Sequence, residues 1–175
     1  GGMIAQYLAI DFPDFVERLV LTVTLSRPNE VVKERCETWI KSAEDKDYEA
    51  IMKDCALYSY SDEYLRKNKM MLNVISKIGA PKSFDRFITF SKACTTHNSY
   101  EKLEKITCPT LVIGGKQDKI VTYEASEEIA SKIPNAKLKT YEKFGHALYE
   151  EGKDFNKTVY EFCIGNETLL EKIDK

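Results

Sequence analysis

Long apolar runs and a surplus of basic residues are both absent from this 175-residue sequence. No stretch of about 18 consecutive apolar residues occurs, so we expect no membrane-spanning segment and no membrane partner. The formal net charge is −2, with 26 Lys and Arg against 28 Asp and Glu. Because nucleic-acid binding usually depends on a dense basic face, we also expect no nucleic-acid partner.

Histidine is scarce, and the usual patterns for cofactor binding are missing. His97 and His146 are the only two histidines, and no ligand spacing surrounds either of them, which argues against a zinc site. The glycine pairs Gly1-Gly2 and Gly114-Gly115 are not followed by the residues of a phosphate-binding loop. We therefore expect no metal and no other cofactor.

Cysteine is present, but not in the pattern of a disulfide-stabilised protein. The five cysteines are widely spaced, odd in number and without a Cys-x-x-Cys pair. This pattern favours reduced, mostly buried thiols and a cytoplasmic location over a disulfide framework. The positions are Cys36, Cys55, Cys94, Cys108 and Cys163.

The most informative part of the sequence is the stretch that ends at Asp118. The apolar run from Leu111 to Ile113 predicts a strand that is buried on both faces, and a glycine pair then turns the chain toward Asp118. A second predicted strand, from Ala136 to Tyr141, is followed shortly by His146. Catalytic side chains collect at the carboxyl ends of parallel strands, so we expect Asp118 and His146 to lie at one edge of a sheet.

These residues fit a longer pattern, Ile-x-x-Pro-Thr-Leu-Val-Ile-x-Gly-x-x-Asp, followed by a helix, a strand and Gly-His. The matching positions are Ile106, Pro109 to Ile113, Gly115, Asp118, Gly145 and His146. With this pattern the sequence resembles the C-terminal half of an α/β-hydrolase of the serine-hydrolase type. The opening residues, Gly1 to Gln6, are similar to the tail of the nucleophile elbow, Gly-x-Ser-x-Gly-Gly, of small bacterial carboxylesterases and enol-lactonases. In that alignment the serine would stand two positions before Gly1, so we expect the elbow to be truncated and the nucleophile to lie upstream.

The resemblance implies an α/β fold, the C-terminal portion of an α/β-hydrolase, in which parallel strands with flanking helices carry an inserted helical cap. We expect hydrolase core over 1–26, a helical cap or lid over 27–104, and the C-terminal part of the core, with Asp118 and His146, over 105–175. Asn29 and Thr122 are the predicted helix N-caps. In the first part of the core, periodicity predicts a helix over Gly2 to Ile10 and a strand over Val16 to Leu25. In the cap it predicts four helical stripes: Val32 to Ala43, Tyr48 to Cys55, Tyr64 to Ile78 and Phe84 to Ser91. The last part contains the two strands already named, a helix from Thr122 to Lys132, a closing helix over Phe155 to Cys163 and a surface tail from Asn166 to Lys175.

Asp118 and His146 match the second and third members of the family's Ser-Asp-His order. In such a triad the histidine takes the proton of the serine hydroxyl, and the carboxylate holds the imidazole in the correct tautomer. His97 is the competing base, but it follows a predicted cap helix rather than a strand. Structural alternatives remain for both members of the pair: His146 as a hydrogen-bonded loop residue and Asp118 as an ordinary turn residue.

The cap would supply most of the substrate contacts, although burial within the core of the cap is the alternative for each residue. No oxyanion hole can be assigned, because one of its amides belongs to the residue after the serine. The candidate substrate-binding residues are Trp39, Met71, Phe84, Phe87 and Val121.

Two functions follow as hypotheses. In the first, the full-length protein is a serine hydrolase that cleaves a small ester, thioester or lactone, while the 175-residue chain itself is inactive; a C–C bond hydrolase would use the same three residues. In the second, the protein is a non-catalytic binding or scaffold protein that lacks the nucleophile. We also expect the strand at Val16 to Leu25 to leave a bare sheet edge, which would pair with the rest of a longer chain or with a second copy in a homo-oligomer.

Overall fold

The computed structural model of the chain describes residues 1–166, so most of the predicted surface tail lies outside the described residues. The helices are α1 (Gly2–Asp11), α2 (Glu30–Glu44), α3 (Tyr48–Ser59), α4 (Asp62–Ile75), α5 (Asp85–Thr96), α6 (Tyr123–Lys132), α7 (Leu148–Glu151) and α8 (Phe155–Cys163). The strands are β1 (Leu19–Thr22), β2 (Thr110–Gly115) and β3 (Ala136–Tyr141), and short 3₁₀ helices cover Pro13–Phe15 and Tyr100–Lys105.

The three strands form one parallel sheet in the order β1-β2-β3. Val112 of β2 is the partner of Leu21 on one side and of Leu138 on the other. Every residue of β2 is buried, as expected for a central parallel strand that helices cover on both faces. The carboxyl ends of all three strands therefore meet at one edge of the sheet.

The side chains of β2 alternate between two hydrophobic clusters, one on each face of the sheet. Val112 packs with Leu21 and with residues of α1 and α6, such as Ile10 and Ile129. Leu111 and Ile113 point to the opposite face, where they pack with residues of α7 and α8. Burial of this apolar surface is the main force that holds the helices on the sheet.

The long connection from β1 to β2 contains four helices, α2 to α5, at the positions that the sequence periodicity predicts. Side-chain caps mark three of their starts. Asn29 accepts a hydrogen bond from the Val32 amide at 2.9 Å, as predicted, and Asp47 and Ser61 cap α3 and α4 in the same way. Helices α2 and α5 pack side by side.

Two predicted boundaries and one predicted helix cap were wrong. The strand predicted over Val16 to Leu25 is only Leu19–Thr22, because a 3₁₀ turn precedes it and the backbone of Val23 turns away with φ +41°. Helix α4 ends at Ile75 instead of Ile78. Thr122 lies at the N-cap of α6, but its φ is +68° and its side chain makes no capping hydrogen bond.

One edge of the sheet and the outer face of α1 are not covered within residues 1–166. The side of β1 opposite to β2 has no strand partner in this part of the chain. Nearby, Ile4 of α1 is 75% exposed and Phe15 is 84% exposed. Pairing of this edge with further chain or with a second copy remains a prediction. A search of the described residues finds no helix that has both the length and the apolarity to cross a membrane.

Candidate active site

Asp118 stands three residues after β2, at the carboxyl edge of the sheet, with its side chain only 1% exposed. Its Oδ1 atom accepts hydrogen bonds from the backbone amides of Ile120 and Val121, at 2.8 and 3.0 Å. These two bonds hold the carboxylate in a fixed orientation and leave Oδ2 free to point elsewhere. These two bonds are the ordinary contacts of a turn aspartate, so any further role depends on what Oδ2 contacts.

His146 follows β3 and meets that second oxygen. Its Nδ1 lies 2.9 Å from Oδ2 of Asp118, and the histidine side chain remains 24% exposed. A carboxylate can only accept at this contact, so Nδ1 carries the hydrogen and Nε2 is the basic nitrogen of the neutral ring. The structure therefore brings together the two residues that the sequence places on separate loops.

Two glycines allow the loops of Asp118 and His146 to approach each other backbone to backbone. A Cβ atom at Gly115 would overlap the carbonyl oxygen of Phe144 and lie 2.7 Å from that of Gly145. A Cβ atom at Gly145 would lie 3.0 Å from the carbonyl oxygen of Gln117. The Gln117 amide donates to the Phe144 oxygen at 3.1 Å, which ties the loops together. Glycine is thus required here for close packing.

The loop of His146 is also tied to the junction of α3 and α4. The Ala147 amide donates to the Ser59 carbonyl oxygen at 2.8 Å, and the Ser61 amide donates to the Glu151 carboxylate at 3.1 Å. The Ser61 hydroxyl donates to the same carboxylate. Sequence reasoning missed these contacts, since the partners are about ninety residues apart and no local pattern links them.

His146 opens onto a cavity of about 430 Å³ between the edge of the sheet and the inserted helices. Trp39 and Val121, two of the predicted substrate-binding residues, line this cavity, and their contact with substrate remains a prediction. The Trp39 indole donates to the Asp54 carboxylate at 2.6 Å, which fixes its ring. The other lining residues are small, apolar or sulfur-containing for the most part: Gly1, Gly2, Met3, Thr22, Val23, Thr24, Leu25, Val32, Cys36, Cys55, Ser59, Cys94 and Ile120.

The remaining predicted substrate contacts lie elsewhere. Met71 lines a separate cavity of about 310 Å³ between α3, α4 and α7. Phe84 and Phe87 are half-buried at the start of α5 and line neither cavity. Cys94, seven residues after Phe87, does line the first cavity, and that spacing corresponds to about 10 Å along a helix. A role in substrate binding remains a prediction for these three residues.

His97, the competing histidine, has different partners. Its ring packs edge-on against Tyr7, and its Nε2 lies 3.2 Å from the Ser99 hydroxyl. Burial lowers the pKa of His97, which keeps it neutral near pH 7. Asp118 is hydrogen bonded to His146 and not to His97. Within residues 1–166, no three His, Cys, Asp or Glu side chains are placed to hold a metal ion.

Comparison with known proteins identifies a family for most of the chain. A family profile described as "alpha/beta hydrolase fold" matches residues 1–153. Among curated relatives, "Putative carbamate hydrolase RutD" of Caulobacter sp. strain K31 is 29% identical over 168 residues, which cover 94% of this chain and 63% of that protein. A 2-hydroxy-6-oxononadienedioate/2-hydroxy-6-oxononatrienedioate hydrolase of Pseudomonas sp. is 24% identical over 172 residues, or 93% of this chain and 59% of the relative.

Solved structures support the same fold. MGS-M2, an α/β-hydrolase enzyme from a Medee basin deep-sea metagenome library, matches with a TM-score of 0.83 at 22% identity, covering 94% of this chain and 62% of that one. The enol-lactonase of Burkholderia xenovorans LB400 matches with a TM-score of 0.79 at 22% identity, covering 93% and 62%. The chain thus spans less than two thirds of the length of these relatives. At this identity the structural likeness shows the fold alone.

Proposed function

Because the chain belongs to the α/β-hydrolase family, we propose that it forms the acid–base half of a serine hydrolase. In this proposal Asp118 and His146 are the second and third members of a Ser-Asp-His triad, and a serine that precedes Gly1 in a longer chain is the nucleophile. The observation that carries the proposal is the 2.9 Å contact between Nδ1 of His146 and Oδ2 of Asp118 beside the cavity. Among residues 1–166, no serine hydroxyl is hydrogen bonded to His146, in agreement with a nucleophile from another part of the protein.

The geometry supports a separate role for each of the two residues. Asp118 keeps the hydrogen of His146 on Nδ1, so Nε2 can take the proton of the serine hydroxyl as its oxygen attacks the substrate carbonyl. The resulting imidazolium is stabilised by the carboxylate 2.9 Å away. Nε2 then returns the proton to the leaving group, and a water molecule releases the acyl group by the same sequence of steps. The amides of Ile120 and Val121 hold the carboxylate in place during this cycle.

The cavity wall supports an uncharged acyl group as the bound part of the substrate. None of the described residues that line the cavity is Asp, Glu, Lys or Arg, whereas Trp39, Val121 and Leu25 offer apolar surface. A dicarboxylate of the kind named for one relative would find no cationic side chain on this wall. We therefore favour a small, uncharged ester, thioester or lactone, with α2 to α5 as the cap that covers it.

The test is hydrolysis of p-nitrophenyl acetate by the chain extended with the residues that precede Gly1 in its gene. We expect the extended protein to be active and the 175-residue chain to be inactive. His146→Ala in the extended protein should lower kcat by about 10⁶-fold, by analogy with other triads that lose their histidine. His97→Ala is the matched control and should leave kcat within about threefold of the unchanged protein, because His97 does not contact Asp118.

Two results would contradict the proposal. Hydrolysis that survives His146→Ala would remove the assigned base. An extended protein with Ala or Asp at the serine position and no esterase activity would instead favour the second hypothesis, a binding or scaffold protein with this fold.

A further inference from the structure

Three of the five cysteines line the cavity into which His146 opens: Cys36 of α2, Cys55 of α3 and Cys94 of α5. All of them are free thiols. Their spacing does not indicate this, since 18 or more residues separate each from the next. The proposed hydrolase chemistry uses none of them.

Cys36 and Cys94 form a pair within this group. Helices α2 and α5 pack side by side, both thiols line the same cavity, and an interaction between the two thiols shifts the pKa of each. Cys36 is only 2% exposed and belongs to a core cluster against which Cys94 packs. Cys55 lines the cavity without such a thiol partner, and burial raises its pKa to about 11, which keeps it a thiol.

This interaction makes the two sulfurs chemically different. A hydrogen bond from Cys36 lowers the pKa of Cys94 to about 7. The same hydrogen bond, together with burial, raises the pKa of Cys36. One member of the pair is therefore thiolate in part near pH 7, while the other remains protonated beside it. This arrangement of an attacking thiolate and a resolving thiol is typical of redox-sensitive cysteines.

We propose that Cys36 and Cys94 are a dithiol oxidation site that closes to a disulfide on the cavity wall when the protein meets hydrogen peroxide. The Cys94 thiolate attacks one peroxide oxygen, the O–O bond breaks, and hydroxide leaves and is protonated to water. The product is a sulfenic acid on Cys94. The Cys36 sulfur then attacks the Cys94 sulfur, the S–O bond breaks, and hydroxide leaves with the Cys36 proton as a second water. In balance, two thiols and one peroxide give one disulfide and two waters.

The remaining cysteines provide internal controls. Cys55 shares the cavity but lacks the hydrogen bond, and Cys163 is exposed on α8 and does not line the cavity. If exposure alone decided oxidation, Cys163 would react first. If presence in the cavity were sufficient, Cys55 would join the disulfide as often as Cys36.

The test is peptide mapping of the protein after treatment with hydrogen peroxide and blocking of the remaining thiols with iodoacetamide, without a reductant. Trypsin cuts after Arg35, Lys41, Lys92 and Lys102, so the disulfide would join peptide 36–41 to peptide 93–102. Cys55 lies in peptide 54–66, which distinguishes it from both. We expect the 36–41/93–102 pair as the main disulfide, to disappear on addition of dithiothreitol.

A second measurement tests the hydrogen bond without requiring oxidation. In Cys36→Ala, Cys94 loses its donor, so its pKa should return toward the ordinary value of 9.0. Alkylation of Cys94 at pH 7 should then slow by about sixfold, because the thiolate fraction falls about 50-fold while each thiolate becomes about eightfold more nucleophilic. Cys163→Ala, the matched control, should leave this rate unchanged.

The proposal is overturned if the main disulfide contains Cys55, or if Cys163 oxidises while Cys36 and Cys94 stay reduced. It is also overturned if Cys94 proceeds to sulfinic acid without forming a bond to Cys36. Each of these results would show that the contact between the two sulfurs does not direct the chemistry.

Discussion

Replacement of Asp118 by asparagine should change the tautomer of His146 with little change in shape. The amide oxygen of asparagine can still accept the two hydrogen bonds from Ile120 and Val121 that Oδ1 accepts now. The amide nitrogen would then face Nδ1 of His146 in place of Oδ2. Because that nitrogen is a donor, Nδ1 must become the acceptor, and the ring hydrogen moves to Nε2. A ring with hydrogen on Nε2 cannot take a proton there.

The cost to stability should depend on what replaces the carboxylate. Asp118→Ala leaves two buried backbone amides without acceptors, each of which costs about 1 to 3 kcal/mol, so we expect a loss of about 3 to 5 kcal/mol. Asp118→Asn keeps an oxygen that accepts from both amides, but these hydrogen bonds become weaker because the acceptor is no longer charged. We therefore expect a loss of about 1 to 2 kcal/mol in the free energy of unfolding. The alanine variant thus measures how much the two amide hydrogen bonds stabilise the loop, and the asparagine variant tests whether Asp118 sets the tautomer of His146.

The assay combines urea unfolding with ¹⁵N NMR of the imidazole ring. The chain has only two histidines, so His97→Gln assigns the spectrum by removing one set of signals. We expect protonated Nδ1 in the unchanged protein and protonated Nε2 in Asp118→Asn. In the extended protein, kcat should fall by about 10⁴-fold with the same substitution.

Two outcomes would refute this reasoning. An unchanged tautomer in Asp118→Asn would mean that the carboxylate does not orient His146. Equal destabilisation by asparagine and alanine would mean that the amide hydrogen bonds to Oδ1 do not hold the loop.

Three further predictions concern the framework of the site. Gly115→Ala should destabilise the protein by about 2 to 3 kcal/mol in urea unfolding, because the new Cβ atom would overlap backbone oxygens. Gly1→Ala is the control and should not change stability, because no atom lies within 4 Å of the new Cβ atom. Equal effects of the two substitutions would contradict the close packing at Gly115. Asn29→Ala should lower the free energy of unfolding by about 1 to 2 kcal/mol, because it removes both the cap of α2 and a hydrogen bond to the Val121 carbonyl oxygen. Asp47→Ala removes only the cap of α3, so it should lower the free energy of unfolding by about 0.5 to 1 kcal/mol. Burial lowers the pKa of His97 below its ordinary 6.5, so the unfolded chain binds a proton at this ring more tightly than the folded protein does. The free energy of unfolding should therefore fall as the pH drops through 6.5, and His97→Gln should weaken this pH dependence. An unchanged pH dependence in His97→Gln would contradict the assignment.

The sequence predicted best where the determining interactions are local or where topology supplies them. The run Leu111 to Ile113 is apolar and β-branched, so it becomes the central strand whatever surrounds it. The meeting of Asp118 and His146 follows because each comes after one of two adjacent parallel strands. The predicted α/β-hydrolase fold is confirmed. It could be predicted because the residues around Asp118 and His146 carry the family's sequence pattern.

Prediction failed where the local residue pattern does not determine the structure. The positive φ of Val23 ends β1 early, although its neighbours read as strand formers. The bond between Ser61 and Glu151 joins positions ninety residues apart. The convergence of Cys36 and Cys94 depends on how α2 packs on α5, which no spacing in the sequence encodes.

The central claim, that Asp118 and His146 activate a serine from the preceding part of the protein, is tested most directly by covalent labelling with a fluorophosphonate. The labelling rate would be measured by intact mass on the extended chain, with and without His146→Ala. We expect one adduct, on a serine before Gly1, and a labelling rate that falls by up to about 10⁶-fold without His146, as for other triads that lose their histidine. An adduct elsewhere, or a labelling rate that does not depend on His146, would contradict it.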